Sequence, residues 1–583
     1  MSAKGVSVSH KIFRRPLPDS WAATFTGMPS VLARLYASRG VETAAELERG
    51  LDRLHPVSTM KGIDAAAALL ADAVQQGRRI LVVGDFDCDG ATSTAVALRA
   101  LRLMGAREVQ FLVPNRFEYG YGLTPEIVAV AAKMTPDLIV TVDNGIASID
   151  GVAAAKQLGI QVLVTDHHLP GATLPLADAI VNPNQPGCEF PSKMLAGVGV
   201  IFYVMMALRG VLRDAGWFER RAVPLPNLAQ LLDLVALGTV ADVVPLDQAN
   251  RILVAQGLAR IRAGQCCAGI TALLEVAGRS RGRAVASDLG FVVGPRLNAA
   301  GRLEDMAIGI HCLLTDDPTQ AQQLAKTLDG LNRERRSIET EMQDQALAHL
   351  ESMQLGDAEA LPTGLCIFQP DWHQGVIGIL ASRIKDRYHR PVIAFAEADA
   401  ATLKGSARSV PGFHIRDALD AVATRHPGLI QKFGGHAMAA GLSLDKNRFE
   451  AFVVAFDAEA RRHLGSDDLH GRLWSDGELT PADFTLELAE TLRQGGPWGQ
   501  GFPEPLFDGT FEIVNRRIVG ERHLKLILKP VGSDVSIGAI AFNTDDHDWP
   551  SAVRQVHAAY KLDVNEFRGA CDVQLLIDYI EPL

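Results

Sequence analysis

The chain has 583 residues, 48% of them hydrophobic and 21% charged, and 57 Lys and Arg against 68 Asp and Glu give a formal net charge of −11. That length exceeds one ordinary core and the composition is globular, so several packed domains are expected. The longest uncharged apolar stretch, Met194 to Leu208, is shorter than the ~20 residues of a membrane span. The N-terminus lacks the apolar core of a secretory signal, and seven cysteines without a Cys-x-x-Cys suit a reducing cytosol better than a disulfide framework.

Residues 1 to about 75 read as a helical, alanine-rich extension without recognisable chemistry. Apolar runs near 80–84, 108–113, 138–142, 161–165 and 178–181 then alternate with amphipathic segments at Ala91–Met104, Pro125–Lys133 and Ile149–Leu158. That alternation predicts βαβ units and a parallel sheet. Residues 192–310 read as mostly helical. A polar helix over Pro318–Ser352 would span ~50 Å and could link two lobes. A second α/β segment runs from about Gly364 to Leu464, with strands near 365–369 and 391–396, a helix after Gln374, and glycine turns at Gly405 and Gly434-Gly435. From about residue 470 the pattern changes to strand alternation, as in Phe511–Val514 and Leu524–Leu528, which predicts a small antiparallel barrel or sandwich.

The chemistry sits where the first strands end. Asp85-Phe86-Asp87-Cys88-Asp89-Gly90, Asp143-Asn144-Gly145 and Asp166-His167-His168 each follow a short apolar run, and Asp242 follows the apolar helix Leu231–Val240. Parallel strands would deliver these acids and imidazoles to one sheet edge, where open α/β sheets bind ligands. Singly, each motif is as well explained by turn geometry. The first is not a calcium loop, since Val96 stands where the bidentate Glu is required. Repetition at one edge is what turn geometry does not explain. Carboxylates gathered so closely repel one another unless a cation neutralises them, which predicts a divalent-metal site with two ions. Cys88 reads as a small residue in a tight turn, because hard cations prefer oxygen and imidazole. Between Arg251 and Arg302 there are eight arginines against Glu275 and Asp288, a segment of +6 that reads as a patch tracking a nucleic-acid strand.

These motifs resemble the DHH phosphoesterase superfamily. Further stretches narrow the resemblance to its RecJ branch: 114–122 (Pro114 to Gly122), Gly238-Thr239-Val240-Ala241-Asp242, Arg296-Leu297-Asn298-Ala299-Ala300-Gly301-Arg302, Gly375-Val376-Ile377-Gly378 and Gly434-Gly435-His436. The resemblance runs from about Arg78 to the C-terminus. After the helical extension over 1–75, it implies an α/β chain with a parallel-sheet DHH catalytic domain over 76–316, and a connecting helix follows over 317–355. A smaller α/β DHHA1 substrate-binding domain would follow over 356–466 and a β-barrel of the OB-fold class over 467–583.

The implied activity is 5′→3′ hydrolysis of single-stranded DNA to 5′-mononucleotides in DNA repair and recombination, with strand selectivity arising from a groove too narrow for duplex. Short-oligonucleotide hydrolysis and a non-catalytic scaffold are the competing readings. The barrel and the basic segment disfavour the first, and the complete acid set disfavours the second. Asp85, Asp87, Asp89, Asp143, His167, His168 and Asp242 would form the catalytic site. Among them Asp87, Asp89, Asp143, His167 and Asp242 would ligate two Mn²⁺ or Mg²⁺ ions, with Asp143 bridging. His168 would point away from His167, toward the phosphate. Mixed carboxylate and imidazole donors favour Mn²⁺ with Mg²⁺ in support. Arg116 and Arg408 would grip the 5′-terminal phosphate, Ser406, Gly434, Gly435, His436 and His373 would bind phosphate in the same lobe, and Arg296, Asn298 and Arg302 would hold backbone phosphates further along. Tyr121 and Trp372 are stacking candidates, though each also reads as a core residue. The implied setting is a cytoplasmic monomer without membrane contact, with single-stranded DNA as substrate and a single-strand-binding protein and a helicase as candidate partners.

Overall fold

The computed structural model describes residues 11–19, 21–114, 122–352, 361–520, 523–542, 553–567 and 570–583. They divide into two compact units, one made of Leu17–Asn332 with Thr491–Glu504, the other of Met1–Pro16, Arg333–Glu490 and Pro505–Leu583.

The first unit is built on five parallel strands: β1 (Arg79–Val83), β2 (Glu108–Leu112), β3 (Leu138–Val142), β4 (Gln161–Thr165) and β5 (Ala179–Val181), in the order β2-β1-β3-β4-β5. Strands β1, β3 and β4 are buried along almost their whole length, as expected of a parallel sheet covered on both faces. The chain leaves β1 outward to β2 and returns to β3 on the other side. This reversal opens a crevice beyond the carboxyl ends of β1 and β3. Leu81, Val83, Ile139, Val162 and Val164 pack one face against the helices Pro125–Ala132 and Ile149–Gln157. Helices α1 (Cys88–Leu103), α2 (Gly197–Asp214), α3 (Leu232–Ala241) and α4 (Gly294–Leu303) complete the unit. The apolar stretch that was too short to span a membrane is the buried body of α2, and among the described residues no helix is long and apolar enough to cross one.

Helix α5 (Pro318–Ser352) carries the chain from the first unit to the second. There β6 (Leu365–Phe368), β7 (Val392–Glu397), β8 (Thr402–Arg408), β9 (Lys432–Gly435) and β10 (Ala439–Asp445) form a mixed sheet in the order β9-β10-β8-β7-β6, with α6 (Ile377–Tyr388) against it. Alternate residues of β7 serve two cores: Ile393 and Phe395 face one cluster, Val392 and Ala394 the other. Strands β11 (Phe507–Val519), β12 (His523–Pro530), β13 (Ile537–Ala541), β14 (Gln555–Phe567) and β15 (Ala570–Pro582) close a barrel in the order β11-β12-β13-β15-β14.

Two expectations are corrected. Residues 11–75 are not uniformly helical, because Lys11–Arg14 is a strand paired in parallel with Arg472–Ser475. Gly405 is not in a turn but in the middle of β8, where a Cβ would lie 2.6 Å from the Phe395 ring. Small size there admits the neighbouring strand's aromatic ring.

The added strand is tied to the barrel by Arg14, whose Nη2 donates to buried Asp508 at 2.9 Å. Burial alone would raise the Asp508 pKa, but hydrogen bonds from Arg14 and Ser475 outweigh it and hold the carboxyl below its ordinary value. A carboxylate lowered by folding stabilises above its unfolded pKa and loses that contribution as pH falls through the folded one. Arg14→Ala should therefore lower thermal stability at neutral pH by about 1 kcal/mol, discounted because the arginine is half exposed. The difference from the parent chain should close below about pH 4, which paired melting curves at the two pH values would test.

Candidate metal centre

The carboxyl end of β1 turns sharply into α1. Asp87 is the N-cap of α1, its Oδ1 accepting the Gly90 N–H at 3.0 Å. Gly90 is required because a Cβ there would lie 2.6 Å from the Asp85 carbonyl oxygen. Buried Asp85 accepts the Phe86 N–H at 2.7 Å. Both Asp89 carboxylate oxygens face the first turn of α2, taking N–H groups of Gly197 at 2.6 Å and Val198 at 3.0 Å, where the helix dipole favours negative charge.

Asp143 ends β3 in a left-handed conformation, φ 62°, uncommon for a residue other than glycine. Its N–H donates to the Thr165 carbonyl of β4 at 3.1 Å, while the Asn144 amide ties Val83 to Val142 at 3.1 and 2.9 Å. Asp242 caps the carboxyl end of α3. Asp166, which motif reading passed over in favour of the two histidines, is the buried anchor of its loop. It accepts the N–H groups of His167, His168 and Ile146 at 2.7, 3.1 and 2.9 Å and the His168 Nδ1 at 2.8 Å.

The side chains converge. His167 Nε2 lies 3.2 Å from Asp143 Oδ1 and 3.5 Å from Asp242 Oδ2. The two histidine rings are 4.5 Å apart at their centres, so His168 joins the cluster instead of turning away from it. Ligand atoms lie within 4.8 Å of one another in three sets: Asp85, Asp87 and Asp143; Asp89, His167 and Asp242; and Asp143, His167 and His168.

The electrostatics are those of a carboxylate cluster that a cation would stabilise. Burial, then the neighbouring carboxylates Asp242 and Asp87, drives the Asp89 pKa well up. Burial followed by Asp89, Asp87, Asp242 and Asp85 does the same to Asp143. Asp242 is pushed up to about 7 by burial and Asp87, and its Oδ2 is buried without a hydrogen bond. For His168, burial lowers the pKa but the Asp166 contact outweighs it and raises the imidazole to about 9. Burial pushes the Cys88 thiol well up, so it stays a neutral filler. Carboxylate and imidazole donors at these spacings fit hard or borderline divalent cations such as Mn²⁺ or Mg²⁺.

The residues expected to bind DNA divide. Arg116 and Tyr121 lie outside the described residues. Arg296 is almost fully buried, its guanidinium held by Asp329 at 2.9 and 3.0 Å and by the Val292 carbonyl at 2.7 Å. In this pairing the side chain braces α4. Asn298 accepts the Cys88 N–H at 2.7 Å and so fixes the acid loop. Arg302 is partly buried in the last turn of α4. The basic run is likewise structural in part, since Arg251, Arg260, Arg262 and Arg296 all donate to backbone carbonyls. Trp372 is a core residue.

In the second unit several of the expected residues do meet. Arg408 Nη1 donates to Ser406 Oγ at 3.2 Å, and a Cβ on Gly378 of α6 would lie 2.9 Å from both side chains. Ser406 pairs with Gly441, and Gly441 with Gly434, in one row across the sheet. A Cβ on Gly434 would meet nothing within 4 Å, leaving that part of the row bare. Gly435, at φ 145°, ends β9, and the His436 N–H closes the following turn onto the Ala439 carbonyl at 2.8 Å. His373, just before α6, accepts the Gly375 N–H on Nδ1 at 3.1 Å.

A parallel sheet with acids and histidines at its crossover edge defines a DHH phosphoesterase, and three family models agree. The DHH family N-terminal domain matches residues 79–239, the DHHA1 domain 362–462 and the RecJ OB domain 475–579. A relative from Dickeya dadantii named single-stranded-DNA-specific exonuclease RecJ is 58% identical over 99% of this chain and 100% of its own. The chain belongs to the RecJ family. Crystal structures of RecJ from Thermus thermophilus are similar as well. The Mn²⁺ complex is 32% identical with a TM-score of 0.80, over 99% of this chain and 80% of that one. The Mg²⁺ complex is 30% identical with a TM-score of 0.75, over 98% and 78%.

Proposed function

We propose that the chain hydrolyses the phosphodiester bonds of single-stranded DNA one nucleotide at a time from the 5′ end, releasing 5′-mononucleotides in a reaction that needs Mn²⁺ or Mg²⁺. The observation that carries the reading is the convergence of Asp85, Asp87, Asp89, Asp143, His167, His168 and Asp242 at the crossover edge of the sheet. Asp85, Asp87 and Asp143 would hold one cation, and Asp89, His167 and Asp242 the other. Asp143 belongs to the first of these sets and its Oδ1 lies 3.2 Å from His167 Nε2 of the second, which suits it to serve both. Two such cations, when bound, supply an acidified water and a clamp on the attacking and leaving oxygens.

The chain's own groups do the rest. His168, in the same cluster as Asp143 and His167, is placed to meet a phosphate oxygen. Asp166 fixes the ring's orientation through Nδ1. Ser406 and Arg408, beside the bare glycine row, provide hydroxyl, guanidinium and backbone donors for the 5′-terminal phosphate. A cytoplasmic monomer working beside a single-strand-binding protein and a helicase belongs to the same proposal and rests on the family resemblance alone.

Digestion of single strands of about 30 nucleotides, labelled at either end, tests the reading. Immediate release of a labelled mononucleotide from the 5′ end, gradual shortening of the 3′-labelled strand, and arrest by EDTA are the expected results. Equal degradation of duplex DNA would sink the strand preference.

Metal binding has its own readout. A ligand bound only by the folded state at 100 times its Kd adds about 2.7 kcal/mol. Saturating Mn²⁺ should therefore raise the melting temperature of the chelated protein by roughly 5 °C.

A further inference from the structure

The contacts that fix the acid loops also fix a short segment in front of α4. Leu289–Val293 forms a π-helical turn, a rare conformation often found at functional sites. Gly290 and Gly294 lean on the end of α3, where a Cβ on either would lie 3.1 Å from Val240 Cγ1 or Ala241 Cβ respectively. Further along, Asn298 holds the Cys88 N–H, and a Cβ on Gly301 would lie 1.8 Å from the Phe86 carbonyl oxygen. The segment is thus fastened at one end to the helix that carries Asp242 and at the other to the Asp85–Asp89 loop.

At the crest of this turn stands Phe291, 78% exposed, while Leu289 and Val293 on either side are buried. Val243, the residue after Asp242, is 62% exposed and sits at φ 62°, a left-handed conformation that a β-branched residue rarely adopts. A lone exposed apolar residue is ordinary. An aromatic ring raised on a braced π turn beside a carboxylate cluster is not, and burial in the fold's own core does not account for it.

We propose that Phe291, on the turn packed against the end of α3, is a platform on which one base of the single-stranded substrate stacks, registering the strand near the metal centre. The proposal deepens the exonuclease reading and rests on it. Chemistry selects the occupant. A surface beside so many carboxylates repels the sugar–phosphate backbone except where cations neutralise it, so the uncharged face of a base is what the strand can present there. A phenyl ring has no hydrogen-bonding group and accepts all four bases alike, as an enzyme that removes every nucleotide in turn requires. In duplex DNA each base is already stacked and paired, so the platform would also favour single strands.

Steady-state digestion of the 5′-labelled strand with Mn²⁺ tests this, using the parent chain, Phe291→Ala and Phe291→Trp. Alanine should raise KM roughly 5- to 100-fold with a smaller fall in kcat, and tryptophan should restore KM to within about threefold. The substrate supplies a second readout. When an abasic residue is walked one position at a time from the 5′ end, the parent chain should show a KM maximum at one position, and Phe291→Ala should show none. An alanine variant with parental KM, or with the same abasic maximum, overturns the platform alone. A parent chain that degrades no strand overturns the exonuclease reading and the platform with it.

Discussion

Replacing Asp143 with asparagine should abolish nuclease activity while leaving the fold intact, and should make the chelated protein more stable. Asp143 is buried, and burial and four neighbouring carboxylates already drive its pKa well up. Without metal its charge is a liability. Asparagine keeps the shape and tolerates the left-handed backbone at φ 62°, which alanine does less well. On the proposed reading it removes the one carboxylate placed to serve both cations. The loss of rate at saturating Mn²⁺ should be at least about 10³-fold, beyond the 10- to 100-fold typical of groups that only orient a ligand.

Melting curves separate this from misfolding. In EDTA, Asp143→Asn should melt at or above the parent temperature. In Mn²⁺ the parent should gain several degrees and the variant almost none. A variant that keeps more than about a hundredth of parental activity would remove Asp143 from the proposed bridging position, since losses of up to about 100-fold belong to supporting groups.

The parts of this architecture legible in the sequence are those written locally. Ile80–Val83, Leu138–Val142 and Val162–Val164 are apolar runs whose only stable home is a sheet covered on both faces, so the acids that follow them had to emerge at one edge. The polar helix at Pro318–Ser352 was equally legible from its length and composition. What escaped reading depends on partners far away in the chain. Arg296 reads as a phosphate ligand, and nothing local signals Asp329 on its guanidinium, since charge alone does not tell a braced arginine from one presented to solvent. Asn298 likewise serves Cys88, 210 positions away. Asp166 was in view as the first letter of its motif, and the signal that marks it is its position directly after β4. Glycine is the least readable of all: Gly405 signals a turn by composition, yet it lies in mid-strand to admit the Phe395 ring. Residues 1–75 had no periodic pattern strong enough to reveal a strand whose partner lies at 472–475.

The glycines that shape the centre carry the second large prediction. Gly238 of α3 faces α1, and a Cβ there would lie 2.2 Å from Thr92 Oγ1, 2.7 Å from Asp89 Oδ1 and 2.8 Å from Val198 Cγ1. Gly197 opens α2, and its Cβ would lie 2.7 Å from Asp143 Oδ1 and 2.9 Å from the Asp143 Cα. Neither residue has a side chain to offer a metal, yet each sets where a carboxylate stands. In Gly238→Ala the obstructing atoms are mostly side-chain ends, so the helices can stay packed if Asp89 swings off the α2 N-terminus. Activity should then fall roughly 10- to 100-fold and apparent Mn²⁺ affinity with it, as when a group supporting a ligand is lost. In Gly197→Ala the obstruction is backbone, so the loop itself must move, and stability should fall by about 1–3 kcal/mol as well.

Gly210, in the same helix α2, has nothing within 4 Å of its Cβ position, so Gly210→Ala isolates the backbone effect. It should stabilise by about 0.5–1 kcal/mol and leave turnover unchanged. Rates, Mn²⁺ titrations and melting curves on the three variants would settle the matter. If Gly238→Ala retained parental metal affinity, the position of Asp89 would not be what holds the second cation, and His167 and Asp242 would have to carry that ion without it.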